Sequence, residues 1–345
     1  MPDNSEGVQG FLSRRGFIKV LAAGAAATAL TSCSEEEKAL GFRPERQRTT
    51  TFITPNEEFY LVAVDPSYRP PVNPATVREN WQLELVGLDG KIQNAGYSEL
   101  DERATRIVPY TFECIGNKVG GRLIGNANWH VVPLKAYLER AGLSAEVKSV
   151  MFEGLDDFYS SVSIERARDD YAFIAMKMNG EPLPAGHGFP ARVILPDLYG
   201  MKQPRWLRRI TLLSDPETTS YWERRGWAGE VPVKTFSRLD PLPNLAAGKS
   251  GQLTGTAFAG ARGIRGVEVS LDDGKTWQPC RLETPSQQHV WSLWSYQWKN
   301  PPAGRHNVQV RAIDNNGQLQ TGKQARSYPD GASGYHRETI EITGT

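Results

Sequence analysis

The stretch from Pro241 to Gly251 most constrains what this chain can fold into. Its sequence, Pro-Leu-Pro-Asn-Leu-Ala-Ala-Gly-Lys-Ser-Gly, breaks both helices and strands, and the character of the chain changes across it. Downstream, Gly266 to Trp277 alternates like a strand, turns at Asp272-Asp273-Gly274 and returns. Val290 to Trp298 is aromatic and strand-like. Asn307 to Asp314 is a further strand, turned by Asn315-Asn316-Gly317. Short strands at regular spacing predict a β-sandwich over 252–345. Upstream, 51–240 is mixed. Trp81 to Gly87 reads as a strand entering an Asp89-Gly90 hairpin, Pro133 to Gly142 as a short helix with Pro at its start and Gly at its end, and 147–152 and 192–195 as short apolar strands. Strands and short helices in irregular order predict an α+β domain, with 241–251 as the linker.

The first 33 residues read as an address. Ser13-Arg14-Arg15-Gly16-Phe17-Ile18-Lys19 is a twin-arginine export signal. The apolar run from Val20 to Leu30 that follows is too short for a membrane-spanning helix. Leu30-Thr31-Ser32-Cys33 reads as a lipobox, so Cys33 is the expected lipidation site and 34–50 a tether. These features predict an extracytoplasmic, periplasmic protein exported already folded, touching a membrane only through its signal or its lipid. Lys+Arg 40 against Asp+Glu 39 gives no charge excess for nucleic acid. Three cysteines make no disulfide framework, although one Cys114–Cys280 bridge is conceivable. Neither Gly-x-Ser-x-Gly nor His-Glu-x-x-His occurs, which argues against the familiar hydrolases.

Cys114 is the residue with the most chemical promise. It ends the β-like run Tyr110-Thr111-Phe112-Glu113 and enters Ile115-Gly116-Asn117, a strand-to-loop junction where a thiolate can meet a metal. Other loops of the first domain combine glycine with charge: Phe152 to Asp157, Gly186 to Arg192, and Tyr199 to Trp206. Such loops let backbone N–H groups and cations approach a phosphate. Of five histidines, His187 and His130 are candidates for this site; His289, His306 and His336 are expected on the surface of the β-domain. The tryptophans between 290 and 298 are expected in the sandwich core or an interface, and Cys280 as a small buried thiol.

Taken together these segments resemble a known family. Cys114-Ile115-Gly116-Asn117, Asn128-Trp129 before Val132-Pro133-Leu134, Phe152-Glu153-Gly154-Leu155-Asp156, Met178-Asn179-Gly180-Glu181-Pro182, His187-Gly188-Phe189-Pro190 with Arg192, and Arg205-Trp206-Leu207 fall in the order of the sulfite oxidase family of molybdopterin enzymes. The C-terminal part is similar to that family's immunoglobulin-like dimerisation domain. The resemblance implies that Cys114 is the catalytic thiolate ligand of molybdenum. It implies that His187, Arg192 and Arg205 hold the molybdopterin and its phosphate, that Asp156 bonds the pterin ring, and that Asn117 and Lys202 belong to the same cofactor-binding group. It further implies two-electron oxygen-atom transfer on a small-molecule substrate, foremost sulfite, and a homodimer. No Cys-x-x-Cys-His motif is present, so no haem is expected in the chain and electrons are expected to pass to a separate partner such as a c-type cytochrome. Reduction of S- or N-oxides is the alternative activity, and a non-catalytic lipoprotein that keeps the fold is the alternative class.

The departures concern the substrate side. Where the family has Arg-Asn-His this chain has Val62-Ala63-Val64. Where the family has an Arg five residues after the metal cysteine, the chain has Val119, and Met176 replaces a tyrosine. Two cations and a phenol expected for a sulfite pocket are missing, with Lys118, Arg122, Lys177 or Lys202 as candidate spatial substitutes. A dianion is costly to desolvate without such partners.

Overall fold

A computed structural model describes residues 50–63, 68, 74–216 and 219–344; Arg14, Arg15 and Cys33 lie outside them. Two sheets form the first domain. One runs in the order Ile92–Gly96, Gln82–Val86, Leu207–Leu213, Ser149–Gly154, Tyr159–Ser163, with a single parallel pair between its second and third strands. The other runs Arg106–Glu113, Ile124–Pro133, Phe173–Met178, Glu181–Pro182, and Arg192–Ile194 also pairs with Phe173–Met178. The Asp89-Gly90 hairpin forms as the sequence predicts: Gly90 has φ 75° and its N–H donates to the Gly87 carbonyl at 3.0 Å. The short helix Leu134–Arg140 starts at Pro133 and buries Leu134, Tyr137 and Leu138. It ends at Gly142, whose φ of 90° is the left-handed stop that glycine takes without strain.

The second domain is the expected sandwich. One sheet runs Phe236–Leu239, Gly251–Phe258, Ser292–Trp298, Arg281–Leu282; the other runs Gln278–Pro279, Ile264–Ser270, Gly304–Asp314, His336–Ile342. Trp294 and Trp298 pack in its core, where each fully buried large side chain contributes about 1.5–3 kcal/mol. Cys280 lies half-buried against that core, and neither it nor Cys114 is in a disulfide. The 241–251 stretch differs from expectation. Phe236–Leu239 already pairs antiparallel with Gly251–Phe258, so this stretch joins neighbouring strands of one sheet, and the chain crosses between domains upstream of Phe236. A four-residue strand just before a Pro-rich loop carries too little periodicity to reveal its sheet. Among the described residues no helix is long and apolar enough to cross a membrane.

The two domains share a third apolar cluster, with Ile115, Ile124, Tyr199, Met201, Trp227, Phe236, Phe258 and Trp291 buried together. Trp291 is thus an interface residue. Its N–H donates to Thr111 Oγ1 at 2.9 Å, and Thr111 N–H donates to the His289 carbonyl at 2.8 Å. The second domain therefore buttresses the strand that carries Cys114. Two histidines expected at the surface lie elsewhere. His336 accepts a bond from Leu239 N–H through Nδ1 at 3.0 Å. His289 is only 3% exposed and packs against the rings of Tyr110 and Tyr171; such long-range packing leaves no local trace in sequence.

Burial pushes His289 from its ordinary 6.5 down to about 4, with Asp169 opposing and Arg166 reinforcing the shift. Between those values the unfolded chain takes up a proton that the folded protein refuses. The associated stability is fully present above about pH 6.5 and is lost as pH falls towards 4. Urea unfolding at pH 7.5 and 4.5 should show the wild type losing about 2–3 kcal/mol more than His289→Asn, a residue that tolerates the φ of 61° found here. Equal losses in the two proteins would refute this account of His289.

Candidate active site

The strand Arg106–Glu113 delivers Cys114 to the end of its sheet. The turn behind it is closed by backbone bonds, Cys114 N–H to the Leu123 carbonyl at 2.9 Å and Asn117 N–H to the Cys114 carbonyl at 2.9 Å. The thiol is half-buried and free. Burial pushes it up to about 11 and the neighbouring Glu113 carboxyl adds to this, while Gly116 N–H and the Arg205 charge pull it down. A bound metal ion would remove that proton outright. Among the described residues no group of three or more His, Cys, Asp or Glu is placed to hold a metal. A metal on Cys114 therefore needs ligands that the described side chains do not provide.

Two guanidiniums converge with the thiol. Arg192 opens the strand Arg192–Ile194, is 6% exposed, and lies over the rings of Phe112 and Trp129 at 4.1 and 5.2 Å. One of its nitrogens donates to the His187 carbonyl at 3.2 Å, and its Nε is buried with no partner among the described residues. Arg205 donates to the carbonyls of Gly186 at 2.7 Å and Val62 at 2.8 Å. Gly188, with φ 116°, lets them approach: a Cβ there would lie 3.0 Å from Arg192 Cβ and 3.2 Å from Arg205 Cβ. Burial and the Arg205 charge lower the pKa of Arg192 to about 9, and burial also lowers that of Arg205. Two cations side by side, Arg192 buried and Arg205 half-buried, the first with an N–H unpartnered among the described residues, form a cradle for an anion such as phosphate.

Asp156 joins the cluster from the turn after Ser149–Gly154. Burial raises its pKa, while the Phe158 N–H and the Arg205 charge lower it. Backbone strain gathers here: Asp157 and the bulky Trp206 have φ of 59° and 52°, a region costly for such residues and characteristic of functional sites. His187 is 4% exposed, pairs its Nε2 with the Asn56 carbonyl at 2.9 Å, and meets Phe59 edge-on. The structure thus brings together Cys114, Asp156, His187, Arg192 and Arg205.

Asn117 and Lys202 have other work. Asn117 Nδ2 donates to Glu113 Oε1 at 3.0 Å, and its Oδ1 accepts from Leu123 N–H at 3.0 Å, so it braces the Cys114 loop. Gly121 leaves room for it, since a Cβ there would come within 2.3 Å of Asn117 Oδ1. Asn117→Ala strands both Glu113 and the Leu123 N–H. It is expected to cost about 1–3 kcal/mol in urea unfolding and to speed alkylation of Cys114; unchanged stability and thiol reactivity would contradict the bracing role. Lys202 is 2% exposed and is held by Glu223 Oε1 at 2.6 Å and Ser220 Oγ at 2.9 Å. Its charge is spent on an ion pair that no local sequence signal announces, Glu223 being 21 residues away.

The spatial substitutes fare similarly. Lys177 pairs with Asp101 at 3.2 Å, and Arg122 lies close enough to Glu338 to lower its pKa. Lys118 is exposed beside Val119 in a cleft at the domain junction that also holds Glu113, Tyr199 and Lys234. Met176 is fully buried in the core. His130 pairs across to Ile107 and Lys177 in mid-sheet, away from the loop end. Two site residues were missed in the sequence. Glu113 is buried with Oε2 unpartnered among the described residues, and Tyr60 feels Cys114, Arg192, Glu113 and Arg205. The signal that could have found Tyr60 is its position two residues before Val62, where the chain departs from the family pattern.

Comparison with known proteins finds matches for both domains. Residues 70–222 match the model of the oxidoreductase molybdopterin binding domain, and residues 240–342 that of the Mo-co oxidoreductase dimerisation domain. Mitochondrial sulfite oxidase of Homo sapiens is 31% identical over 329 residues, covering 80% of this chain and 59% of that protein. An NADH nitrate reductase of Cichorium intybus is 27% identical, covering 71% of this chain and 33% of that protein. The chain thus spans about 59% of the length of the sulfite oxidases it matches. The sulfane dehydrogenase SoxCD of Paracoccus pantotrophus shares the fold, with a TM-score of 0.74 at 21% identity over 85% of this chain and 82% of that one. The cation cradle and the free thiol lie within the matched molybdopterin-binding domain, and the chain belongs to the sulfite oxidase family of molybdopterin-dependent oxidoreductases.

Proposed function

We propose that the protein is an exported molybdenum-cofactor oxidoreductase that oxidises sulfite or a related small sulfur compound by two-electron oxygen-atom transfer. The observation that carries this reading is the cation pair Arg192 and Arg205, the first buried with its Nε unpartnered among the described residues, beside the Cys114 thiol and the Asp156 carboxyl. When bound, the cofactor supplies the redox metal that exchanges two electrons and an oxygen atom. The chain's own part is binding and placement. Arg192 and Arg205 neutralise the anionic end, Asp156 accepts from the pterin edge, and Cys114 gives a soft anionic ligand. The braced loop and the second domain hold that ligand still.

A non-catalytic descendant would gain nothing from two repelling cations, which weighs against the lipoprotein alternative. The twin-arginine signal supports export with the cofactor in place, and Cys33 supports a lipid anchor on an extracytoplasmic, periplasmic protein. Electrons then pass to a separate one-electron acceptor, such as a c-type cytochrome. The match to a dimerisation domain supports a homodimer.

The second reading, reduction of an S- or N-oxide, is favoured by the substrate side. Val62 offers only its carbonyl, and that to Arg205; Met176 is core. A neutral oxide needs less positive charge than a dianion. Assays of sulfite with ferricyanide or cytochrome c, and of methionine sulfoxide with reduced viologen, separate the two. Sulfite turnover supports the first reading, methionine sulfoxide turnover without sulfite turnover supports the second, and neither activity in loaded protein refutes both substrate assignments.

A further inference from the structure

We infer that Tyr60 places a hydroxyl donor in the Cys114 site, for an oxygen of the substrate or of a ligand bound beside the thiol. The inference rests on reading that site as cofactor-bearing. Tyr60 stacks on Phe59 with ring centroids 5.5 Å apart and planes at 20°. Phe59 is in turn fixed edge-on by Phe112 at 6.3 Å, Trp129 at 5.9 Å and His187 at 5.5 Å. The phenol is therefore carried on a packed aromatic base rather than on a loose loop.

Its hydroxyl enters the site where the chain has removed a side chain. A Cβ on Gly200 would lie 3.0 Å from Tyr60 Oη, and the Glu113 carbonyl lies 3.6 Å from the same point. The ionisable groups that act on the phenol there are Cys114, Arg192, Glu113 and Arg205. Two of these are cations that cannot accept a hydrogen bond, the thiol is a weak acceptor, and the Glu113 carboxyl is bonded to Asn117 and not to the phenol. Among the described residues no group is hydrogen-bonded to the hydroxyl. A phenol in such surroundings ordinarily finds a partner. Here the partner comes with what the site binds, and an oxygen between the thiol and the guanidiniums is the acceptor that the donor set selects. The contribution is one of specificity: the site takes substrates that present an oxygen to this point.

The test uses holoenzyme from a cofactor-competent host, as wild type, Tyr60→Phe and Gly200→Ala. The last keeps the phenol and crowds its hydroxyl. Molybdenum content is measured first, and is expected to be unchanged. EPR spectra of the dithionite-reduced molybdenum centre in H2O and D2O should then show an exchangeable-proton difference in wild type that Tyr60→Phe reduces and Gly200→Ala alters. The kcat/KM for sulfite with ferricyanide should fall about 10–100-fold in Tyr60→Phe. Loaded Tyr60→Phe protein with an unchanged proton difference overturns the inference alone. Wild type without molybdenum overturns the reading of the site, and the inference with it. If loaded wild type ignores sulfite, the substrate assignment fails while the EPR comparison still decides the role of Tyr60.

Discussion

Cys114→Ser protein is expected to lose turnover by at least ~1,000-fold, about 4 kcal/mol of transition-state stabilisation, while its fold persists. A serine hydroxyl is nearly isosteric with the thiol, but it stays protonated at neutral pH and is a hard, poor donor to a soft or high-valent metal. The loop does not depend on the sulfur. Its closing bonds use the backbone of Cys114, with Leu123 and Asn117, and its bracing bonds use Asn117 and Glu113. Circular dichroism and urea unfolding should therefore match wild type within about 0.5 kcal/mol. Activity within tenfold of wild type would remove the thiolate from the chemistry.

The second large effect is expected at Arg192. Replacement by methionine removes a buried cation yet fills the space over Phe112 and Trp129 with an apolar side chain of similar length. Two consequences follow, of opposite sign. Cofactor retention should fall about 10–100-fold, the worth of a charge-assisted bond to an anion. The cofactor-free protein should be at least as stable as wild type, because the buried charge beside Arg205 destabilises the empty fold. A purely structural arginine would behave in reverse: the variant would unfold more readily and bind cofactor normally. Metal content of purified protein, together with urea unfolding of the cofactor-free form, distinguishes these patterns.

Much of the architecture was legible because it is written locally. The Asp89-Gly90 hairpin, the helix bounded by Pro133 and Gly142, and the alternation of Ile264–Ser270 and Gly304–Asp314 each follow from neighbours in sequence. So did the strand that ends at Cys114. The resemblance then grouped Asp156, His187, Arg192 and Arg205 with it, and the fold assembles that group. What was not legible depends on distant partners. His289 is buried because Tyr110 and Tyr171 enclose it. Lys202 is neutralised by Glu223, and the Asn117 side chain is bonded to Glu113 and Leu123. Phe236–Leu239 reads as the tail of the first domain until its pairing with Gly251–Phe258 is seen. Tyr60 reaches the site only because Gly200, 140 residues later in the chain, leaves room for its hydroxyl.

The departures at Val62, Val119 and Met176 divide the site in two. On the metal side, thiol, cations and carboxyl are in place. On the substrate side, charge is sparse: Lys177 and Lys202 are held in ion pairs, and Lys118 lies exposed beside Val119.

The most direct measurement is the molybdenum and pterin content of the full chain, purified from a host that makes the cofactor, with Cys114→Ser and Arg192→Met prepared alongside. One molybdenum and one pterin per wild-type chain, with cofactor reduced in Arg192→Met, is the predicted result. Folded wild-type protein containing neither molybdenum nor pterin would contradict the assignment of the Cys114, Arg192 and Arg205 cluster as a cofactor site.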